Sequence, residues 1–406
     1  MFYFIVGWRN IVRNFRRSLI TMISIIIGTV ACLLTQGFFS WNINALKESM
    51  IHNGIGHYQL YAAGFSKFGN DNPYGYLIHD AAPILKELKS IPQVELATTR
   101  MAFNGILSTG DKSVVVIGEA GTPENEKKLN AYSGLLSGTG LSPGTPYGLI
   151  AGDGIARKLS AKIGDTLTLL GNMKDGGLNA VDFELTGITH NGSDMDNIAV
   201  AAPLGVIQSL LNINTGVQRI VILLRDTKDT PKILPEIARI AKKYQLEYKS
   251  WQTLAELYQS LKLMYDVIFY IIILIVLAIV TFTISNTVNM NLNDRFREIG
   301  TIRALGTKRI QVALIFIVES LLLGIIGSLI GLIVSYSFIG FIELIGGMPV
   351  TVNGAERQVL MHIFFHPDFT AIVLCIALFS LVAVLASVIP SRKASRISIT
   401  EALRWI

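Results

Sequence analysis

Cysteine is almost missing from this sequence. Of 406 residues only Cys32 and Cys375 are cysteines, and both lie inside long apolar runs. The 225 residues from Asn42 to Asp266 contain none. That stretch therefore has no disulfide framework, and it is long enough to hold together by core burial alone. Charge is scarce as well. Asp, Glu, Lys and Arg make up 16% of the chain, against 51% hydrophobic residues, where a soluble globular chain carries about 25% charged. No Ser-His-Asp or Cys-His set stands in a supporting context, so catalysis is not expected. His362 and His366 are four apart, a spacing that suits a metal on a helix, but no third ligand is near and Pro367 follows at once. No metal site is expected there.

The apolar excess sits in four blocks. Ser18–Trp41 has 24 residues without a charge, Val267–Asn293 has 27, Ile310–Ile342 has 33 with Glu319 as the one charge, and Phe369–Pro390 has 22. A helix of about 20 apolar residues crosses a hydrocarbon core of about 30 Å. Four spans follow, at 18–41, 267–293, 310–342 and 369–390. The first reads as a retained span: it is too long for a signal-peptide core, and no small-x-small cleavage site follows it.

Lys and Arg set the orientation. Arg9, Arg13, Arg16 and Arg17 precede span one; Arg295, Arg297, Arg303, Lys308 and Arg309 lie between spans two and three; Arg392, Lys393, Arg396 and Arg404 follow span four. The loop at 343–368 has only Arg357. The basic side is cytoplasmic, so both termini are expected inside and residues 42–266 outside. The net charge of +6 then reports topology, and nucleic acid is not an expected partner.

Residues 1–17 suit a cytoplasmic amphipathic helix, with Phe4, Trp8, Ile11, Val12 and Phe15 on one face and Arg9, Asn10, Arg13 and Arg17 largely opposite; a plain basic flank fits almost as well. Span one runs on without a breaker to Gly54 and Gly56. The amphipathic stretch Thr253–Lys262 leads into span two. Two long helices carrying the outer domain as a stalk are expected. Within the domain, strands are predicted at 57–63, 94–107, 218–224 and 246–249, with helices at 81–88 and 230–244. A β-rich insert at about 115–210 interrupts them, with strands at 113–117, 166–170 and 183–187. The fold class is an α-helical membrane protein with four transmembrane helices in a 1+3 arrangement. It carries a large α+β extracytoplasmic domain, a porter-like layer with a β-rich insert.

No phosphate loop is visible. Gly105-Ile-Leu-Ser-Thr-Gly-Asp-Lys-Ser113 has an extra Asp before the Lys and sits between strands on the outer side, whereas such a loop opens a helix in the ATP-containing compartment. It reads as a strand-connecting turn. Span three carries Ser320, Gly324, Gly327, Ser328 and Gly331 at spacings of three and four. These let helices approach closely, either another span or a second permease. Glu319 lies within that span, where an ionised carboxylate is costly. It is either a proton or substrate site or, more plainly, an interhelical partner of Ser285, Asn286 or Asn289.

The cytoplasmic stretch Asp294-Arg-Phe-Arg-Glu-Ile-Gly-Thr-Ile-Arg-Ala-Leu-Gly-Thr-Lys-Arg309 suits a short helix, with Ile299, Ile302 and Leu305 roughly on one side and Gly306 ending it. This text resembles the FtsX-like permease domain. So do Glu319-Ser-Leu-Leu-Leu-Gly-Ile-Ile-Gly-Ser-Leu-Ile-Gly331 and Pro390-Ser-Arg-Lys-Ala-Ser-Arg-Ile-Ser-Ile-Thr-Glu-Ala-Leu-Arg404. The family includes MacB-type exporters, lipoprotein-releasing Lol permeases and cell-division FtsX proteins. Ala156–Leu167 and Phe183–Ile188 are similar to text in the family's extracytoplasmic domain. The stretch matching the long hook of carrier-recruiting Lol permeases, Gly171–Val181, is only eleven residues.

The resemblance implies an inner-membrane ABC transporter permease that is not itself an enzyme. A partner ATPase would bind ATP and Mg, leaving no cofactor in this chain. Arg295, Glu298, Ile299, Arg303, Leu305, Gly306 and Lys308 would form the coupling helix in the loop 294–309. Glu319, Ser320, Gly324, Gly327 and Gly331 would pack span three. A second permease, identical or paralogous, completes the spans. Membrane lipid and a periplasmic adaptor or lipoprotein are further expected partners. Lipoprotein or lipid release, or export of peptides or drugs, is the implied work. The alternative is a regulator that passes the same motion to a cell-wall hydrolase without transport.

Overall fold

The computed structural model describes residues 2–69, 71–130, 134–190, 194–353 and 358–395. The cytoplasmic tail expected at 391–406 lies outside the described residues beyond Ser395. In chain order, α1 (Phe2–Arg13) and α2 (Phe15–Met50) come first. There follow β1 (Tyr58–Ala62), α3 (Phe65–Phe68), α4 (Ala82–Lys89), β2 (Val94–Ser108), β3 (Ser113–Gly121), α5 (Pro123–Leu129) and β4 (Leu135–Gly138). Next come β5 (Gly148–Gly152), α6 (Asp153–Leu159), β6 (Thr166–Asn172), β7 (Leu178–Thr189), β8 (Ala199–Pro203) and α7 (Leu204–Leu210). Then β9 (Arg219–Leu224), α8 (Thr230–Lys243), β10 (Leu246–Ser250), α9 (Trp251–Leu254), α10 (Glu256–Asp294) and α11 (Phe296–Ala304). The last are α12 (Arg309–Leu344), β11 (Met348–Asn353), β12 (Gln358–Ile363) and α13 (Phe369–Ser395).

Two compact units result. One comprises Met1–Asn44, Ser260–Val352 and Val359–Ile406; the other comprises Ala45–Gln259 with Asn353–Gln358.

In the first unit, α2, α10, α12 and α13 are long and apolar enough to cross a membrane. With 36 and 39 residues, α2 and α10 rise about 54 and 58 Å, well beyond a core of about 30 Å. The unit's core joins Ile25, Leu33, Ile284, Leu292, Phe316, Leu323 and Phe379, together with both cysteines. The loop 343–368 contains a two-stranded sheet, β11 with β12. His362 is thus on a strand rather than a helix, and the helical spacing considered for His362 and His366 does not arise.

In the second unit, β10-β1-β9-β2 form an antiparallel layer. The connections β1-α4-β2 and β9-α8-β10 interleave, the split β-α-β arrangement of ferredoxin-like folds. Strand β9 is apolar on both faces for a reason visible in its packing. Ile220, Ile222 and Leu224 meet α4 and α8 through Ile84, Leu88, Ile233 and Ile237. Val221 and Leu223 meet Ile51, Leu129 and Trp251 on the other side. The 15-residue β2 runs out of this layer. Its far half joins the ring β2-β3-β8-β5-β7-β6, which β6 closes by pairing with both β7 and β2. Met101, Phe103, Leu107, Leu149, Leu167 and Phe183 fill that ring. The glycine-rich stretch Gly105–Ser113 is the β2–β3 hairpin. Only residues 173–177 connect β6 to β7, so there is no hook.

Between α2 and β1 the helix ends in a π turn, Ile51–Ile55. Gly56 follows at φ 67°, where a Cβ would lie 2.9 Å from the Ile222 carbonyl oxygen; only glycine fits so close to β9. Next to it, His57 is fully buried. Its Nδ1 accepts from the Leu224 backbone N–H at 3.0 Å, so the proton sits on Nε2, 3.0 Å from Thr227 Oγ1. The Thr227 hydroxyl in turn donates to Glu48 Oε2 at 3.1 Å.

Burial, then the nearby His52, lowers the His57 pKa to about 4. The unfolded imidazole titrates near about 6.5. Stability tied to neutral His57 is therefore complete above pH about 6.5 and is lost as pH falls toward 4, in total about 3 kcal/mol. The thermal midpoint of the purified protein should fall through this window, with a smaller slope in His57→Gln. An unchanged slope in the variant would show that other groups set it.

Candidate coupling site

The loop 294–309 folds as its residues dictate. α10 ends at Asp294, Arg295 leaves helical geometry at φ −104° and ψ 15°, and α11 begins at Phe296. Gly306 has φ 97°. Its N–H bonds the Arg303 carbonyl at 3.0 Å while the Thr307 N–H bonds that of Ile302 at 3.3 Å. This pair of bonds closes a helix end on a left-handed glycine. The chain then restarts at once: the Lys308 N–H is capped by Gln311 Oε1 at 2.9 Å, opening α12.

α11 has an inward and an outward side. Ile299 is 4% exposed and packs in the unit's core with Ile11, Leu292, Val312 and Phe316. Ile302 is 41% and Leu305 83% exposed. This corrects the sequence reading that grouped Ile299, Ile302 and Leu305 on one docking side. Apolarity alone cannot distinguish a residue facing its own chain from one facing a partner, and Ile299 faces its own chain.

Two ion pairs tie the loop to the N-terminal helices. Arg13 donates to Glu298 Oε2 at 2.6 Å, and Arg17 pairs with Asp294. Both are half-exposed, and such pairs contribute about 0–1 kcal/mol each; they align more than they stabilise. Arg295 is different. Its guanidinium is buried, meets the Asn14 side-chain amide, and stands 3.6 Å from Glu319 Oε2, with both side chains under a tenth exposed. The partner of Glu319 is thus the loop's Arg295, not Ser285, Asn286 or Asn289. Ser285 instead donates to the Ala386 carbonyl at 3.0 Å. Arg303 lies half-buried on α11, and Lys308 is exposed at the start of α12.

The small residues of span three are used within the chain. A Cβ on Gly327 would come within 2.9 Å of Ile25, and one on Gly331 within 2.7 Å of Thr29, both on α2. On Gly324 it would meet Ser380 and Ala383 of α13 at 2.9 and 3.0 Å. Ser320 and Ser328 are buried beside them. The stripe seats α2 and α13, and a second permease is not what these glycines meet.

α1 lies on α12. A Cβ on Gly7 would meet Leu322 at 3.4 Å and Val318 at 3.5 Å, and Ile11 is buried. Phe4, Trp8, Val12 and Phe15 are more than half exposed. Ile11 therefore leaves the lipid-facing group in which its spacing placed it. Sequence reasoning missed the Arg295–Glu319 contact. The signal was there, an unusual span carboxylate and a loop rich in arginine, but which arginine reaches it depends on where α11 folds back.

Residues 18–240 match the MacB-like periplasmic core domain and residues 270–399 the FtsX-like permease C-terminal domain. The chain is 25% identical to the uncharacterized ABC transporter permease MJ1507 of Methanocaldococcus jannaschii, over 98% of this chain and 96% of that one. It is 25% identical to the lipoprotein-releasing system transmembrane protein LolE of Haemophilus influenzae, over 63% of each. With LolC of Neisseria meningitidis the identity is 23%, over 70% of this chain and 71% of that one. Among solved structures, the periplasmic region of MacB from Actinobacillus actinomycetemcomitans aligns with 52% of this chain and 96% of its own length, at 13% identity and a TM-score of 0.37. With the first family model covering more than half of its length, the chain belongs to the ABC transporter permeases that join a MacB-like periplasmic core domain to an FtsX-like permease domain.

Proposed function

We propose that this permease couples ATP hydrolysis on a separate ATPase subunit to movement of its extracytoplasmic domain, 42–266. The work done is release of lipoproteins or lipids, or export of peptides or drugs; the likeness to lipoprotein-releasing proteins supports the first. The observation that carries the reading is the two-sided α11. Ile299 and Arg295 anchor it inward, and Ile302 and Leu305 stand outward on a short, basic helix. ATP and Mg belong to the partner. Both termini and α11 are cytoplasmic in this reading, in the inner membrane. A second permease or lipid covers α10, whose Tyr270, Leu274 and Phe282 are each about two-thirds exposed within this chain.

The test is native purification in mild detergent. An ATPase chain should co-purify and account for all ATP hydrolysis, with none by the permease alone. Hydrolysis that stays with the isolated permease would overturn the proposal. For orientation, an impermeant thiol reagent on intact spheroplasts should label Lys228→Cys and spare Thr307→Cys. Both native cysteines are buried and give little background. Labelling of Thr307→Cys alone would reverse the topology.

A further inference from the structure

We propose that Asp153, His190 and Asp196 bind one divalent transition-metal cation in the extracytoplasmic domain. The three come from neighbouring strand ends. Asp153 opens α6 directly after β5, His190 directly follows β7, and Asp196 lies in the 3-10 turn Asp194–Asn197 that leads into β8. Strands β8, β5 and β7 are adjacent in the sheet, so the topology gathers residues far apart in sequence.

One ligand atom from each lies within 4.8 Å of the others. His190 Nδ1 is 3.0 Å from Asp153 Oδ2 and 3.7 Å from Asp196 Oδ2. A cation at about 2.1 Å from its ligands holds them about 3–4 Å apart, so these spacings need little adjustment. Both carboxylates are deeply buried, Asp153 at 7% and Asp196 at 4% exposure. One cation beside them is Arg157, bonded to Asp153 Oδ2 at 2.7 Å with half of its side chain in solvent.

The independent observation is Asp153 Oδ1, which is buried and takes no hydrogen bond. A buried carboxylate oxygen without a partner is costly. A metal held by both Asp153 oxygens, His190 Nδ1 and Asp196 would use it and reach four donors. One imidazole and two carboxylates suit zinc or manganese rather than calcium or magnesium, which prefer all-oxygen shells. The imidazole would coordinate through Nδ1 with its proton on Nε2. Bound there, the ion staples the ends of β5, β7 and β8 in a domain that has no disulfides.

The experiment uses the untagged full chain in detergent, stripped with EDTA and dialysed against micromolar zinc. Bound metal is read by mass spectrometry and the unfolding midpoint by heating. One zinc per chain and a raised midpoint are expected. His190→Gln and Asp196→Asn should each weaken binding at least tenfold, while Arg157→Gln should keep or tighten it by removing a competing cation. Should Asp196→Asn fail to fold, the partly exposed His190→Gln decides. The competing account has ion pairs and hydrogen bonds from the surrounding protein, Arg157 and His190 among them, satisfying the aspartates without an ion. It predicts no zinc in wild type or in Arg157→Gln, and that result would overturn the site. Full stoichiometry in His190→Gln would do the same by placing the ion elsewhere.

Discussion

Leu305→Asp should detach the ATPase while leaving the permease folded. Leu305 is 83% exposed at the end of α11, and no core of its own chain loses a contact when it changes. In the proposed complex it enters an apolar groove with Ile302, and a carboxylate there would be desolvated without a partner. A central interface anchor is worth at least about 2 kcal/mol, or about 30-fold in affinity. The measurement is titration of the ATPase onto the detergent-solubilised permease, with the thermal midpoint of the permease as control. Wild-type affinity in the variant would mean α11 is not the docking element. Ile299→Asp makes the opposite contrast. Its side chain is inside the core with Ile11 and Phe316, so a carboxylate there should lower folded protein before any ATPase is added.

The Arg295–Glu319 pair should behave as a unit. Removing one member of a buried pair leaves the other charge uncompensated and costs about 3–5 kcal/mol, whereas replacing both by apolar groups of similar size is often close to neutral. Arg295→Met and Glu319→Leu are each expected to lower the thermal midpoint strongly, and the double variant to recover most of the loss. At 3.6 Å the contact is charge attraction rather than a direct hydrogen bond, so what the cycle reads is mainly electrostatic. Additive losses in the double variant would show that the two groups do not interact. If the pair holds while ATPase stimulation is lost in the double variant, this contact carries motion from α11 into α12.

Much of this molecule was legible beforehand because long apolar runs have one solution in lipid. Backbone polar groups must be satisfied within the segment, so 24 residues without charge become a helix. Element types in the second unit were equally readable. The strand predicted at 94–107 is observed at Val94–Ser108, and the helix predicted at 230–244 at Thr230–Lys243. Alternation and helical period are local, and local sequence carries them. Gly306 was legible for the same reason: a glycine after a helical stretch ends it through its positive φ.

Partners were not legible. That β6 closes a ring with β2, that Gly327 and Gly331 seat α2 rather than a second chain, and that Ile299 faces inward all depend on residues tens to hundreds of positions away in the chain. Glu319 shows the limit most plainly. Its cost in the membrane follows from composition, and either a proton or substrate site or an interhelical hydrogen bond would answer it. Candidates one helix away were reasonable, yet the partner is Arg295, brought in by the fold-back of α11. By itself the sequence determined that four helices span, where the longer strands and helices of the other unit fall, and that Glu319 calls for an answering group. The tertiary structure decided which one, because pairing energy depends on distance and desolvation, and neither exists until the helices pack.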